Sequence, residues 1–361
     1  EDGACQACGA RALARITHER HVGEFWDGET NVVIIGGGAA GVAVVRALRD
    51  APRTHVTLIC EENTLPYYRT TLPKLITTPD LKRKPQFLLE QASWYADHSV
   101  EIVLGCRVTE VDTSARRVTY DHPDGPQTKD YDRLVFATGG LCAVPPFAAN
   151  THDGRVVPIR TLHDMNAVCK RIDAGLVSRA VVVGGGLSGM EVVAALRGRL
   201  PDTAITVIEV ADRVIPKQLT EEASDVFLDI LRSKDVDVKT GASVSRIERV
   251  DERWLDVVLG DDTRIRCDLV CHSCGVRPRV ELAKAIGCDV GRGIRVDARM
   301  RTTVQDVYAC GDCAEVDGQC ICNWSTALRQ GQVVAANIRG REERFAAAAL
   351  PYFLLCFVPV F

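Results

Sequence analysis

No apolar run in these 361 residues reaches the ~18 that a membrane-spanning helix needs. The nearest, LPYFLLCFVPVF at 350–361, falls short. The N-terminal EDGACQACGA lacks the basic and apolar regions of a secretory signal. Neither sign of charge dominates: 44 basic against 48 acidic residues leave −4, so no global field draws the chain to nucleic acid or an anionic membrane. The composition is not that of disorder, a collagen-like repeat or a coiled coil, because 46% hydrophobic and 25% charged residues make an ordinary globular balance. Cysteine alone is abundant, yet its 15 copies are odd in number and lack a paired framework. They read as reduced thiols of a reducing compartment, and the expectation is a soluble, cytoplasmic protein. The length sets a prior of two to three domains.

What is present is an internal repeat. Residues 32–49 read VVIIGGGAAGVAVVRALR and residues 181–197 read VVVGGGLSGMEVVAALR. Each opens with a short β-branched run bounded by glycine, which predicts a buried parallel strand. A glycine-rich turn follows, then an Ala/Val/Leu segment of helical length, then a second strand, HVTLIC at 55–60 and AITVIE at 204–209. The fold class is therefore α/β, with two Rossmann-like dinucleotide-binding units. In each G-x-G-x-x-G, Gly36 and Gly184 allow the tight bend, while Gly38 and Gly186 let the backbone approach a pyrophosphate. Gly41 and Gly189 let helix and strand pack closely. The helix N-terminus then offers free N–H groups to the phosphates.

The acid after the second strand separates the copies. Glu209 ends AITVIE where a carboxylate takes the ribose hydroxyl of NAD, and the nearest arginine, Arg213, lies four residues on, which favours NADH over NADPH. The first copy has Cys60 at that position, followed by Glu61 and Glu62, one of which is expected to take the ribose. Two dinucleotide sites imply two dinucleotides, FAD and NAD(H), and the chemistry that needs both is hydride transfer from a nicotinamide to a flavin.

With these residues in hand, the chain resembles the FAD/NAD(P)-dependent pyridine nucleotide–disulfide oxidoreductase superfamily over about residues 30–340. The resemblance rests on GGGAAG, ATGG at 137–140, GGGLSGME at 184–191, GVRP at 275–278 and YACGDCAEV at 308–316. EENTLPYYRTTLPK (61–74) and NWSTALRQGQVVAANIRG (323–340) are similar to segments of ferredoxin- and rubredoxin-reductase flavoproteins. The resemblance implies that Asp312 holds the flavin ribityl chain and that Thr138 and Gly139 pass near the FAD diphosphate or the domain crossover. It implies catalytic roles for Lys74, beside the reactive edge of the flavin, and Glu191, near both that lysine and the nicotinamide. Trp324 would line the flavin end of the pocket. Ala40, Arg69, Leu187, Ser188, Gly275 and Gly311, within the same motifs, complete the expected cofactor-binding set. A cation there stabilises a reduced flavin, and a carboxylate keeps a buried lysine charged.

The resemblance also implies an expected layout: an extension at 1–29, a FAD domain at 30–146 and 272–340, an NAD(H) domain at 147–271, and a C-terminal interface segment at 341–361. The redox disulfide of the superfamily, commonly C-x4-C or C-x2-C, is missing, because residues 61–100 hold no cysteine and 147–266 hold only Cys169. Electrons are then expected to leave the flavin directly, for an iron–sulfur or similar redox protein, with the chain as subunit of a larger hetero- or homo-oligomer. An NADH oxidase, the FAD subunit of an amine or opine dehydrogenase, and a flavin-binding assembly module are the other readings.

Cys267, Cys271, Cys274, Cys310, Cys313, Cys320 and Cys322 read as small buried hydrophobes. No metal site is expected there. Cys5, Cys8, His18 and His21 have the ligand types of zinc but not a common finger spacing, which leaves zinc, a cluster shared with a partner, or a docking arm open. PYFLLCFVPVF at 351–361 resembles the first strand of the family's interface domain; either the chain is incomplete or another subunit supplies the missing packing, and so apolar a strand is expected to be covered by a partner.

Overall fold

The computed structural model describes residues 29–149 and 154–346. The expected zinc ligands Cys5, Cys8, His18 and His21 and the apolar strand at 351–361 lie outside those residues. Two compact units divide the described chain. One comprises 29–68, 82–141 and 276–346, the other 69–81, 142–149 and 154–275.

In chain order the first sheet takes β1 (Thr30–Ile35), β2 (Thr54–Cys60), β3 (Glu101–Leu104) and β4 (Arg133–Phe136). The second takes β5 (Val156–Pro158), β6 (Arg179–Val183), β7 (Ala204–Ile208), β8 (Val236–Lys239) and β9 (Leu269–His272), before β10 (Val307–Ala309) returns to the first. The strand orders are β3-β2-β1-β4-β10 and β8-β7-β6-β9-β5, with every pairing parallel. The first four strands of one order thus repeat in the other, and only the last edge strand differs in origin. A three-stranded antiparallel sheet precedes the fourth strand in each, built from 108–112, 117–120 and 127–130 in one unit and 244–249, 255–259 and 264–267 in the other. The repeat in the sequence is a repeat of whole architecture.

Burial on both faces explains the β-branched runs. Val32, Val33 and Ile34 in β1 and Val181 and Val182 in β6 are sealed from solvent, each worth roughly 1.5–3 kcal/mol of apolar burial. After each run comes a helix, α1 (Ala39–Leu48) in the first unit and α3 (Leu187–Arg199) in the second, where α2 (Leu162–Asp173) and α4 (Glu221–Ser233) also pack. α5 (Trp324–Ile338) lies against α1 so closely that a Cβ on Gly331 would sit 2.5 Å from the Ala40 carbonyl oxygen.

The chain makes a detour that its sequence does not announce. After Tyr68 it leaves the first unit, and residues 69–81 pack with the second before the chain returns at 82. A 3₁₀ helix, Arg69–Leu75, opens this segment. The Cys169 thiol on α2 donates to Leu75 O at 3.4 Å, and Arg69 donates to Arg160 O at 3.0 Å.

Cys267, Cys271, Cys310 and Cys313 are buried, as small hydrophobes should be, and burial pushes the Cys267 and Cys271 thiols up to about 12. Cys274, Cys320 and Cys322 depart from that expectation. Cys274 is exposed because β9 ends at His272 and it lies in the turn beyond, and the other two are half-buried in the loop before α5.

Candidate functional site

Each glycine turn does three separate jobs. Gly36 takes φ +116° where β1 ends, and a Cβ there would collide with the Ala137 carbonyl. Gly184 takes φ +110°, and a Cβ there would come within 2.5 Å of Ser273 O. Both conformations favour glycine. Gly41 and Gly189 each face the carbonyl of the first glycine of their own turn, with no room for a side chain.

Gly38 and Gly186 differ from these. Each is the N-cap of its helix, neither caps it with a side chain, and no atom lies within 4 Å of where a Cβ would be. That open cradle lies before the uncapped amides of Ala39 and Ala40 in one unit and Leu187 and Ser188 in the other. A helix N-terminus with unsatisfied N–H groups and a positive dipole end suits an anionic diphosphate. The donors present therefore fit two dinucleotides, one per unit.

Beside the second cradle, Glu209 is only 9% exposed and accepts the Gly185 amide at 2.6 Å and the Ala211 amide at 2.8 Å. In the first unit Cys60 takes the equivalent place: a Cβ on Gly37 would lie 2.5 Å from Cys60 Sγ, as one on Gly185 would lie 3.0 Å from Glu209 Cβ. Neither acid that follows Cys60 is idle. Glu61 pairs with Arg279, and Glu62 accepts from the Tyr67 hydroxyl at 2.7 Å.

Lys74 and Glu191 are 117 positions apart in the numbering, yet both belong to the second unit. The detour brings Lys74 to α3, where Glu191 occupies the second turn. Burial pushes the Glu191 carboxyl up to about 7, while the Lys74 ammonium pulls it down. A carboxyl poised near neutrality beside a cation can hold or release a proton at working pH.

In the first unit the remaining expected residues gather at the mouth of α1. Gly311 (φ +80°) packs toward Ala40, its Cβ position 2.8 Å from the Ala40 Cβ, and Asp312 follows in the same 3₁₀ turn. Thr138 and Gly139 continue from the Ala137 carbonyl that closes on Gly36. Thr138 Oγ1 donates to Arg279 O at 3.0 Å, and Gly139 O accepts the Arg279 amide at 3.0 Å. Gly275 falls in the second unit instead, with φ +100° and its carbonyl accepting the Ala143 amide at 2.9 Å. Trp324 begins α5, its ring stacked on Tyr68 at 5.5 Å.

Two participants are missing from the sequence reading. Gln330, 2% exposed on α5, accepts the Gly311 amide at 2.8 Å and so fixes the turn that carries Asp312. Arg279, one residue past GVRP, ties Glu61 to the ATGG turn. Among the described residues no group of three or more His, Cys, Asp or Glu side chains could hold a metal ion, and no helix is long and apolar enough to cross a membrane.

Comparison with known proteins agrees with this geometry. The pyridine nucleotide-disulphide oxidoreductase family matches residues 30–331. An NADH oxidase of Methanocaldococcus jannaschii is 30% identical over 326 residues, covering 87% of this chain and 71% of that protein. Putidaredoxin reductase of Pseudomonas putida is 31% identical over 335 residues, covering 90% of this chain and 77% of that protein. The solved covalent complex of putidaredoxin reductase with putidaredoxin superimposes with a TM-score of 0.79 at 30% identity, covering 90% of this chain and 78% of that one. Twin cradles on twin sheets and a match across most of the chain lead to one conclusion: this oxidoreductase belongs to the pyridine nucleotide-disulphide oxidoreductase family, whose members use FAD and NADH.

Proposed function

We propose that this protein is an NADH-dependent flavoprotein reductase that passes electrons from NADH through FAD to an iron–sulfur or similar redox protein. The observation that carries the reading is the pair of open glycine cradles, one in each repeated unit, with a lysine–glutamate pair and no redox cysteine pair in the 61–100 segment. When bound, NADH supplies a hydride and FAD a two-electron acceptor able to release electrons one at a time.

The residues have separable tasks. The first cradle and the Asp312 turn hold the flavin nucleotide. The second cradle holds the NADH diphosphate, with Glu209 accepting from the ribose; its two backbone donors pre-orient the carboxylate. Lys74 sets a positive charge beside Glu191 in the second unit. Glu191 holds a proton below about pH 7 and releases it above. The Tyr68–Trp324 stack would line the flavin end of the first cradle and shield it from water.

The partner would be a small ferredoxin-type protein, as the putidaredoxin complex supports. The free thiols throughout the described chain suit a cytoplasmic setting, and assembly into a larger oligomer belongs to the same proposal. A second reading, an NADH oxidase, is favoured by the Methanocaldococcus relative. Anaerobic titration with NADH, then NADPH, following flavin absorbance, tests the first step: full bleaching by one NADH per FAD is expected, and no bleaching would sink both readings. Reoxidation by a reduced-flavin acceptor then separates them, since an oxidase consumes dioxygen far faster than it reduces a ferredoxin.

A further inference from the structure

Cys142, His272 and Cys274 belong to the second unit, and the backbone draws them together. The Ala143 amide donates to Gly275 O at 2.9 Å, and the Ile159 amide donates to His272 O at 3.0 Å. The Cys142 sulfur lies 3.9 Å from His272 Nδ1, and the amides of Ile159 and Cys274 are turned toward it. His272 is buried with its ring edge against Phe147, 6.3 Å between centroids. Burial lowers its pKa against the upward pull of Asp164, which keeps the imidazole neutral. Cys142 is half-buried and Cys274 exposed, unlike the sealed Cys267 and Cys271.

The pair also borders the second cradle. Cys274 Sγ lies 3.8 Å from Val183 O, the last residue before the turn, and the neighbouring Ser273 carbonyl is the one packed under Gly184. We propose that Cys142 and Cys274 form an oxidisable thiol pair, with His272 as its base, that closes to a disulfide under hydrogen peroxide and loosens the second dinucleotide turn. Although the Cys274 residue is exposed, both sulfur groups are partly desolvated, which raises both thiol pKa values, and this is why a base beside one of them matters.

The chemistry balances. His272 Nδ1 takes the Cys142 proton, the sulfur attacks one peroxide oxygen, and the O–O bond breaks. The hydroxide leaves as water with the proton from the imidazolium. The Cys274 sulfur then attacks the Cys142 sulfenic acid; the S–S bond forms, the S–O bond breaks, and hydroxide leaves with the Cys274 proton as a second water. Two thiols are oxidised and one peroxide is reduced. Closure withdraws Cys274 from Val183 O and shifts the backbone under Gly184. This effect on NADH rests on the proposed nucleotide site, whereas the thiol chemistry does not.

The test treats the holoenzyme with hydrogen peroxide, maps peptides without reduction, and measures the KM for NADH before and after. A Cys142–Cys274 cross-link is expected, with the KM raised about fivefold and restored by dithiothreitol. Cys274→Ser should stop at a Cys142 sulfenic acid that dimedone traps, and His272→Gln should slow its formation at least about tenfold. Cys142 and Cys274 remaining thiols while other cysteines oxidise would overturn the proposal, as would a Cys274→Ser protein without a trappable sulfenate. A cross-link with unchanged KM overturns the coupling to the turn alone. If NADH bleaches no flavin even before peroxide, the proposed function fails, and the peptide map still decides the thiol pair.

Discussion

Burial of Glu191 outweighs the Lys74 ammonium beside it, leaving the carboxyl at about 7 rather than at the ordinary 4.5. The cation is itself exposed, so its field is shared with water, while the carboxyl is half-buried on α3.

Between about 4.5 and about 7 the folded state therefore keeps a proton that the unfolded chain has released. Glu191 contributes stability below that window and loses it as pH rises through about 7, by up to about 3 kcal/mol. Melting temperatures at pH 5 and pH 8 should differ less in Glu191→Gln than in the native protein. The rate of flavin bleaching by NADH should inflect near pH 7 in the native protein and be flat in the variant. Identical pH dependence in the two proteins would show that Glu191 does not titrate there.

Gly38→Ala and Gly186→Ala should fold normally, within about 1 kcal/mol, because no atom is met by the added methyl. Gly38→Ala should purify with little FAD. Gly186→Ala should keep its flavin but respond to NADH only at much higher concentration. Gly41→Ala and Gly189→Ala, where the methyl meets a carbonyl, should instead lose stability outright. Thermal melts with flavin absorbance separate the two classes.

Glu209→Gln leaves one of its two amide donors, the buried Gly185 or the half-buried Ala211, without an acceptor, a cost of about 1–3 kcal/mol to the second unit. Its KM for NADH should rise about tenfold or more while kcat changes little. A fall in kcat with unchanged KM would place Glu209 outside the nucleotide site.

Gln330→Leu removes the acceptor of the Gly311 amide inside the first unit. The orphaned N–H should cost about 1–3 kcal/mol and loosen the Asp312 turn, measured as faster FAD loss on dilution. Normal FAD retention would leave the Asp312 turn independent of α5.

The glycine turns were legible because their conformations admit few residues: a φ of +116° or +110°, or a helix touching a strand, selects glycine whatever the surroundings. The β-branched runs were legible for a similar reason, since strands covered on both faces have no polar side to hide them. Periodicity did not place Lys74, because a 3₁₀ segment containing Pro73 has none and packing against α2 and α3 decides where it goes; only the resemblance put it beside Glu191. Gln330 left no signal either; a buried amide among small helix residues acquires its meaning only from the turn it meets. The same holds for Cys142 and His272, which are 130 positions apart.

The edge strand β10 and the helix α5 complete the first unit, although that unit opens the described chain. On a ribosome the order of completion is reversed. All of the described second unit has emerged by residue 275, while β1–β4 still wait with an unpaired strand edge and α1 uncovered. The unit that appears first is therefore the last to close, and until then its flavin cradle, short of the Asp312 turn and Gln330, is unfinished. Flavin capture therefore waits for β10 and α5, and until they emerge the first sheet keeps an open strand edge.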